Sequence, residues 1–138
     1  MNPSVELKNA MLRLYESMTS GDASAVGRLF SRHSGVLAIG TDPKEWWADY
    51  ETIVRMYGAQ FQELGKIQVR AGEMHAFVEG TAGWVADRPT VRLPNGQEME
   101  LRETTVFHKE DGEWKIVQHH VSMGEPNVEA LGKELTTK

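Results

Sequence analysis

GWVADRPTVRL (residues 83–93), the turn Pro94-Asn95-Gly96, QEMELRETTVFH (97–108), the turn Lys109-Glu110-Asp111-Gly112 and EWKIVQHHVS (113–122) follow one another without interruption. Asn-Gly and Asp-Gly between β-rich runs are the strongest short-range signals for hairpins. The stretch therefore predicts three antiparallel strands, and a sheet of that kind has an apolar face that other elements must cover. A three-residue turn at Glu110-Asp111-Gly112, with Gly112 left-handed in a G1 bulge, sets Thr105 opposite Val117 and Leu101 opposite Val121. One face then carries Leu101, Glu103, Thr105, Phe107, Val117, His119 and Val121. The other carries Arg102, Thr104, Val106, Trp114, Ile116, Gln118, His120 and Ser122. His119 and His120 fall on opposite faces because side chains alternate along a strand, so they do not share a metal.

Upstream lie the elements that can cover such a sheet. Leu7, Met11, Leu14, Tyr15 and Met18 recur at helical spacing over residues 4–20, with Asn2 or Ser4 as cap and Ser20-Gly21 as stop. Asp22 caps a second, short helix carrying Ala25, Val26, Leu29 and Phe30. Residues 36–39 read as a short strand. In GTDPKEWWADYETIVRMYGAQFQELG (40–65), Asp42 is the expected N-cap, Pro43 the first helical residue, and Glu45 the partner in a capping box. Trp47, Tyr50, Val54, Tyr57, Phe61 and Leu64 make its apolar stripe, and Gly65 closes it. Residues 67–78 read as one strand with a bulge at Gly72. A two-residue turn at Glu79-Gly80 sets His75 opposite Trp84. Segregated helices followed by an antiparallel meander mean an α+β fold. One domain is expected over residues 1–138, ordered from about 4 to 123, with residues 124–138 a loose tail.

Composition narrows the function. The chain has no Cys, which removes disulfides, thiol nucleophiles and cysteine zinc sites. Its net charge is −5 with dispersed Lys and Arg, so nucleic acid is not an expected partner. No run approaches the ~20 apolar residues of a membrane span, and MNPSVELKN has no signal-peptide pattern, so a cytoplasmic location is expected. No phosphate loop, nucleophile elbow or dinucleotide fingerprint is present, and no cofactor or metal is expected.

The order of elements resembles the nuclear transport factor 2 superfamily, the cone-shaped fold shared with ketosteroid isomerase. Within it, GTDPKEWW and RETTVFHKEDGEWKIVQHHVS are similar to the SnoaL-like branch. The second run also resembles the hub domain of calcium/calmodulin-dependent protein kinase II. The likeness runs from Leu7 to about Pro126. It implies a curved, antiparallel or mixed sheet wrapped on three N-terminal helices, a cavity inside the cone, and a dimer through the outer sheet face. In the kinase hub, arginines hold small carboxylates. Arg88, at the end of TAGWVADR, matches one of them, while Thr105 and Val121 occupy the other two positions.

Two functional readings follow. In the first, the cone holds a small apolar or carboxylate-bearing ligand and performs acid–base chemistry of the isomerase, cyclase or hydrolase type. Glu103 and His119 would be catalytic, since a carboxyl group in an apolar cone has a raised pKa. Trp47, Tyr50, Trp84, Arg88 and Thr105 would line the ligand site, and Asp87 would be a solvated rim carboxylate. A salt bridge from Glu103 to Arg88 or another arginine is the structural alternative for that residue. In the second reading the chain is a non-enzymatic assembly or ligand-sensing module resembling the hub. Either way the sheet is apolar on both faces, and Val106, Trp114 and Ile116 are expected to bury in a homodimer. An open cone favours the first reading and a filled one the second.

Overall fold

The computed structural model describes residues 1–136. In chain order its elements are β1 (Asn2–Pro3), α1 (Val5–Ser20), α2 (Ala23–Leu29), β2 (Leu37–Ile39), β3 (Trp46–Trp47), α3 (Tyr50–Leu64), β4 (Gln68–Arg70), β5 (His75–Glu79), β6 (Ala82–Asp87), β7 (Thr90–Arg92), β8 (Glu98–Glu100), β9 (Arg102–Glu110), β10 (Glu113–Ser122) and α4 (Asn127–Leu131). Seven strands form a mixed sheet in the order β1-β5-β6-β9-β10-β2-β3, and β4-β7-β8 form a second, smaller sheet. The fold is α+β, with three helices packed on the large sheet around one core that includes Leu7, Leu14, Phe30, Ile53, Phe107 and Ile116. Among the described residues no helix is long and apolar enough to cross a membrane.

The two small-sheet strands β7 and β8 belong to the same hairpin as β6 and β9. Asp87 faces Glu103 in one sheet and Thr90 faces Glu100 in the other, so a single register runs through both. The hairpin bends where Pro89, which has no N–H to give the ladder, accepts from the Leu101 N–H at 2.9 Å. Each run expected as one strand is thus two, re-aimed at this corner. Helix α1 lies close over β6. A Cβ on Gly83 would come within 2.4 Å of Leu7 Cδ1, so only glycine permits this approach.

The last turn is shorter than expected. Asp111 (φ 50°) and Gly112 (φ 80°) form a two-residue turn in which Glu110 faces Glu113, and two positive φ values mark the I′ type. The turn at Pro94-Asn95-Gly96 stands where it was expected, with Gly96 left-handed and Leu93 N–H donating to Gln97 O. The bulge in the last hairpin sits between Ile116 and Gln118. Phe107 consequently faces Ile116 and Thr105 faces His119, not Val117. Ile116 moves from the expected outer face into the core. Trp114 also packs against that core, its Nε1 donating to Glu6 at 3.1 Å.

Four further expectations are corrected. Helix α3 begins at Tyr50, capped by Asp49, whose carboxylate accepts from Thr52 N–H at 2.8 Å and from Thr52 Oγ1 at 2.8 Å. Half of a capping box does form, Asp42 N–H donating to Glu45 Oε1 at 2.8 Å, but in an isolated turn in which the Asp42 carboxylate accepts from Lys44 N–H at 2.8 Å. The chain then extends, because Trp46 and Trp47 pair with Ile39 and Ala38 and Trp47 enters the core. Gly72 is no bulge. It lies in the break between β4 and β5, which belong to different sheets. The turn before β6 is Gly80-Thr81, so Phe77 faces Trp84 and His75 faces Ala86. The tail holds one short helix, α4, none of whose residues is buried; the end of the expected loose tail, 137–138, lies outside the described residues.

Candidate functional site

A cavity of about 530 Å³ opens between α3, the C-terminal part of α1 and the two sheets. Tyr15 and Met18 reach it from α1, Trp47 from β3, Tyr57, Gln60 and Phe61 from α3. Val91, Met99 and Leu101 close it from the bent hairpin, and Glu103, His119 and Val121 form its floor on β9 and β10. The cone is open and mostly apolar.

On that floor three polar side chains form a chain. Thr105 Oγ1 lies 2.5 Å from Glu103 Oε2 and 2.7 Å from His119 Nδ1. All three residues are buried, at 3%, 0% and 2% exposure for Glu103, Thr105 and His119. The outer atoms of the chain, Glu103 Oε1 and His119 Nε2, have no hydrogen-bond partner among the described residues. Buried polar atoms left unpaired are costly and rare. Two at opposite ends of one hydrogen-bonded chain, on residues that line a cavity, make this floor the candidate site.

Electrostatics determines the charge state. Burial first, and the negative charge of Asp87 after it, push the Glu103 carboxyl up to about 8, against the hydrogen bond from Thr105. Burial, then His120, pushes the His119 imidazole down to about 4. Glu103 Oε2 and His119 Nδ1 are 3.7 Å apart, and both shifts favour the neutral forms near neutral pH, against an ion pair. The arginine partner weighed for Glu103 is absent among the described residues. Asp87 is buried rather than solvated: Tyr15 Oη donates to it at 2.8 Å, Arg88 N–H at 2.8 Å and Gly72 N–H at 3.1 Å. Asp87 and Glu103 are thus neighbours across β6 and β9 in different settings, Asp87 held by three donors and Glu103 raised above the ordinary carboxyl range by burial.

Of the residues singled out from sequence, the structure brings Glu103, Thr105, His119 and Trp47 to this region. Tyr50 lies elsewhere, its hydroxyl donating to Gly27 O at 3.0 Å and its ring under Arg32. Trp84 is on the outer face of the large sheet, stacked on Phe77. Arg88 lines a separate outer groove with His75, Arg102 and His120. The corner at Pro89 turns Arg88 away from the cone, and alternation with inward Val85 turns Trp84 away. Tyr15, Asp87, Tyr57 and Glu45 were missed as site residues. Of these Tyr15 and Tyr57 had a signal, their places in the helix stripes. Among the described residues no three His, Cys, Asp or Glu side chains converge as a metal site.

The fold and this buried floor define a class, the NTF2-like (nuclear transport factor 2-like) proteins. Residues 7–126 match the model of the SnoaL-like domain, and the chain belongs to that family. A candidate dehydratase of the NTF2-like family from Streptomyces avermitilis superposes with a TM-score of 0.78 at 19% identity, over 87% of this chain and 94% of that one. An NTF2-like protein of unknown function from Pseudomonas putida KT2440 superposes at 0.81 with 12% identity, over 99% of both chains. A candidate calcium/calmodulin-dependent protein kinase II association domain from Xanthomonas campestris gives 0.73 at 20% identity, over 89% of both. At these identities the likeness concerns the fold alone. No curated protein matches the chain significantly.

Proposed function

We propose that this SnoaL-like domain takes a small, largely apolar molecule into its cone and moves protons on it through Glu103, Thr105 and His119. The observation that carries the reading is the buried three-residue chain with both ends unpaired in the wall of an open cavity. The chain has two neutral proton arrangements. In one, Glu103 Oε1 bears a proton, Thr105 donates to Oε2, and His119 Nδ1–H donates to Thr105, leaving Nε2 as a base. In the other, Oε2–H donates to Thr105, Thr105 donates to Nδ1, Nε2 bears the proton and Oε1 is an acceptor. Passing from the first to the second takes one proton at Nε2 and delivers one from Oε1, with no charge created in the apolar cone.

Such bifunctional proton transfer suits isomerisation, or elimination of water in which Nε2 takes a C–H proton and Oε1 protonates the departing hydroxyl. The candidate dehydratase of the same fold supports that class by analogy. A carboxylate-bearing ligand is less well supported, since Arg88 lies outside the cone.

The test is proton exchange and dehydration across a panel of small apolar ketones and β-hydroxyketones in D₂O, followed by NMR. Turnover of a panel member should fall by 10² or more in Glu103→Gln and in His119→Gln, on the order of an acid–base contribution. A compound that binds in the cone without turnover, equally well to both variants, would instead support the ligand-sensing module. For either reading we propose a homodimer through the outer sheet face, where Phe77 and Trp84 stack and Val106 is 37% exposed. Light scattering at low micromolar concentration should give twice the chain mass, and a monomer would refute it.

A further inference from the structure

The cavity has a second polar region, distinct from the Glu103–His119 floor. Glu45, in the turn before β3, and Glu63, near the end of α3, add carboxylates to its wall, and none of the described residues lining it is Lys or Arg. Glu45 is held in place: Oε1 accepts from Asp42 N–H at 2.8 Å and Oε2 from Gln60 Nε2. A carboxylate has about four acceptor positions, so it keeps capacity for a further donor. Three aromatic rings stand in the same wall. Trp47 and Tyr57 meet edge to face at 5.6 Å, and Tyr57 and Phe61 are tilted at 5.9 Å. Among the described residues no protein cation covers these rings; the cations that lie over aromatic faces are on Tyr50 and Trp114. Tyr57 is 8% exposed and lines the cavity. Burial, and then the charge of Glu45, push its ionisation up, so it stays a donor.

Aromatic faces beside an anchored carboxylate attract a cation and repel an anion. Resting on the reading that the cone holds a ligand, we infer that this ligand is an organic cation, an alkylammonium whose charged head sits against Trp47, Tyr57 and Phe61 with Glu45 as counter-ion. Its apolar remainder extends towards Glu103 and His119. A carboxylate in the same place meets Glu45 and Glu63 with no compensating charge.

The experiment is calorimetric titration at pH 7 with three probes of one length: 4-phenylbutylamine, 4-phenylbutanol and 4-phenylbutyrate. The amine should bind about tenfold tighter than the alcohol, with the butyrate weakest. Glu45→Gln should bring the amine down to the alcohol's affinity and leave the alcohol unchanged. Should that variant not fold, Glu63→Gln, on the exposed rim, should narrow the same gap. Alcohol or butyrate binding as tightly as the amine overturns the inference while leaving the ligand-binding cone in place. So does an amine preference that survives both substitutions. Failure of all three probes to bind overturns both.

Discussion

Glu103 gains stability from being protonated, and this fixes the sign of its pH dependence. Its folded pKa, about 8, lies above the ordinary 4.5, so its contribution is full below about 4.5 and is lost as pH rises through 8. His119 works the other way: lowered from 6.5 to about 4, it contributes fully above 6.5 and loses that contribution as pH falls towards 4. Between 4.5 and 6.5 the two slopes oppose; above 6.5 only that of Glu103 remains. Stability to urea should therefore decline between pH 6.5 and 8, by roughly 1–2 kcal/mol, and Glu103→Gln should flatten the decline. Parallel curves for the two proteins would contradict the assignment. Thr105 is the link. Thr105→Val keeps the shape but strands Glu103 Oε2 and His119 Nδ1, and should cost about 1–3 kcal/mol, whereas Thr105→Ser should stay near wild type. That these three residues share a face was legible from alternation alone. The expected pairing was wrong by two residues, and a slip of two preserves the face. Ile116 lies on the other side of the bulge, and there the sequence pattern misled. Asp87 and Tyr15 were illegible because their contact joins a helix to a strand 72 residues on.

At the scale of elements, caps and turns were readable where one local pattern had no rival. Ser4 and Asp22 cap α1 and α2, accepting from Leu7 and Ala25 N–H. Helix α3 was expected to start at the strong local pattern Asp42-Pro43 with Glu45, but it starts at Tyr50 with Asp49 as cap. The pairing of Trp47 with Ala38 and its burial decided this, and both are tertiary facts. Asp49→Ala should accordingly destabilise the protein by about 1 kcal/mol, and Asp42→Ala, which caps no helix, by clearly less. Equal shifts in denaturation midpoint would contradict the placement of the helix start. The α1–β6 contact allows a sharper test. Gly83→Ala puts a methyl group into Leu7 and should cost roughly 1–3 kcal/mol as overpacking. Leu7→Ala in the same chain should recover part of that loss rather than add to it.

At the scale of the whole molecule, the bent hairpin makes the cavity. By sending β7 and β8 into a second sheet it raises Val91, Met99 and Leu101 as a wall opposite α3, above the buried floor of Glu103 and His119. The hairpin signals predicted the strands, but the corner at Pro89 and Leu101 depends on how two sheets meet, so the residues beside it, Arg88 above all, could not be placed from sequence. The account stands or falls on what this enclosure does to the acid–base chain. NMR of the apo protein, with carbon labelling at the Glu103 carboxyl and nitrogen labelling at the His119 ring, reads both protonation states directly. Glu103 should titrate near pH 8, and His119 should remain neutral down to about pH 4. A Glu103 that titrates near 4.5 opposite a His119 protonated at pH 6 would make the pair a buried ion pair and contradict the account.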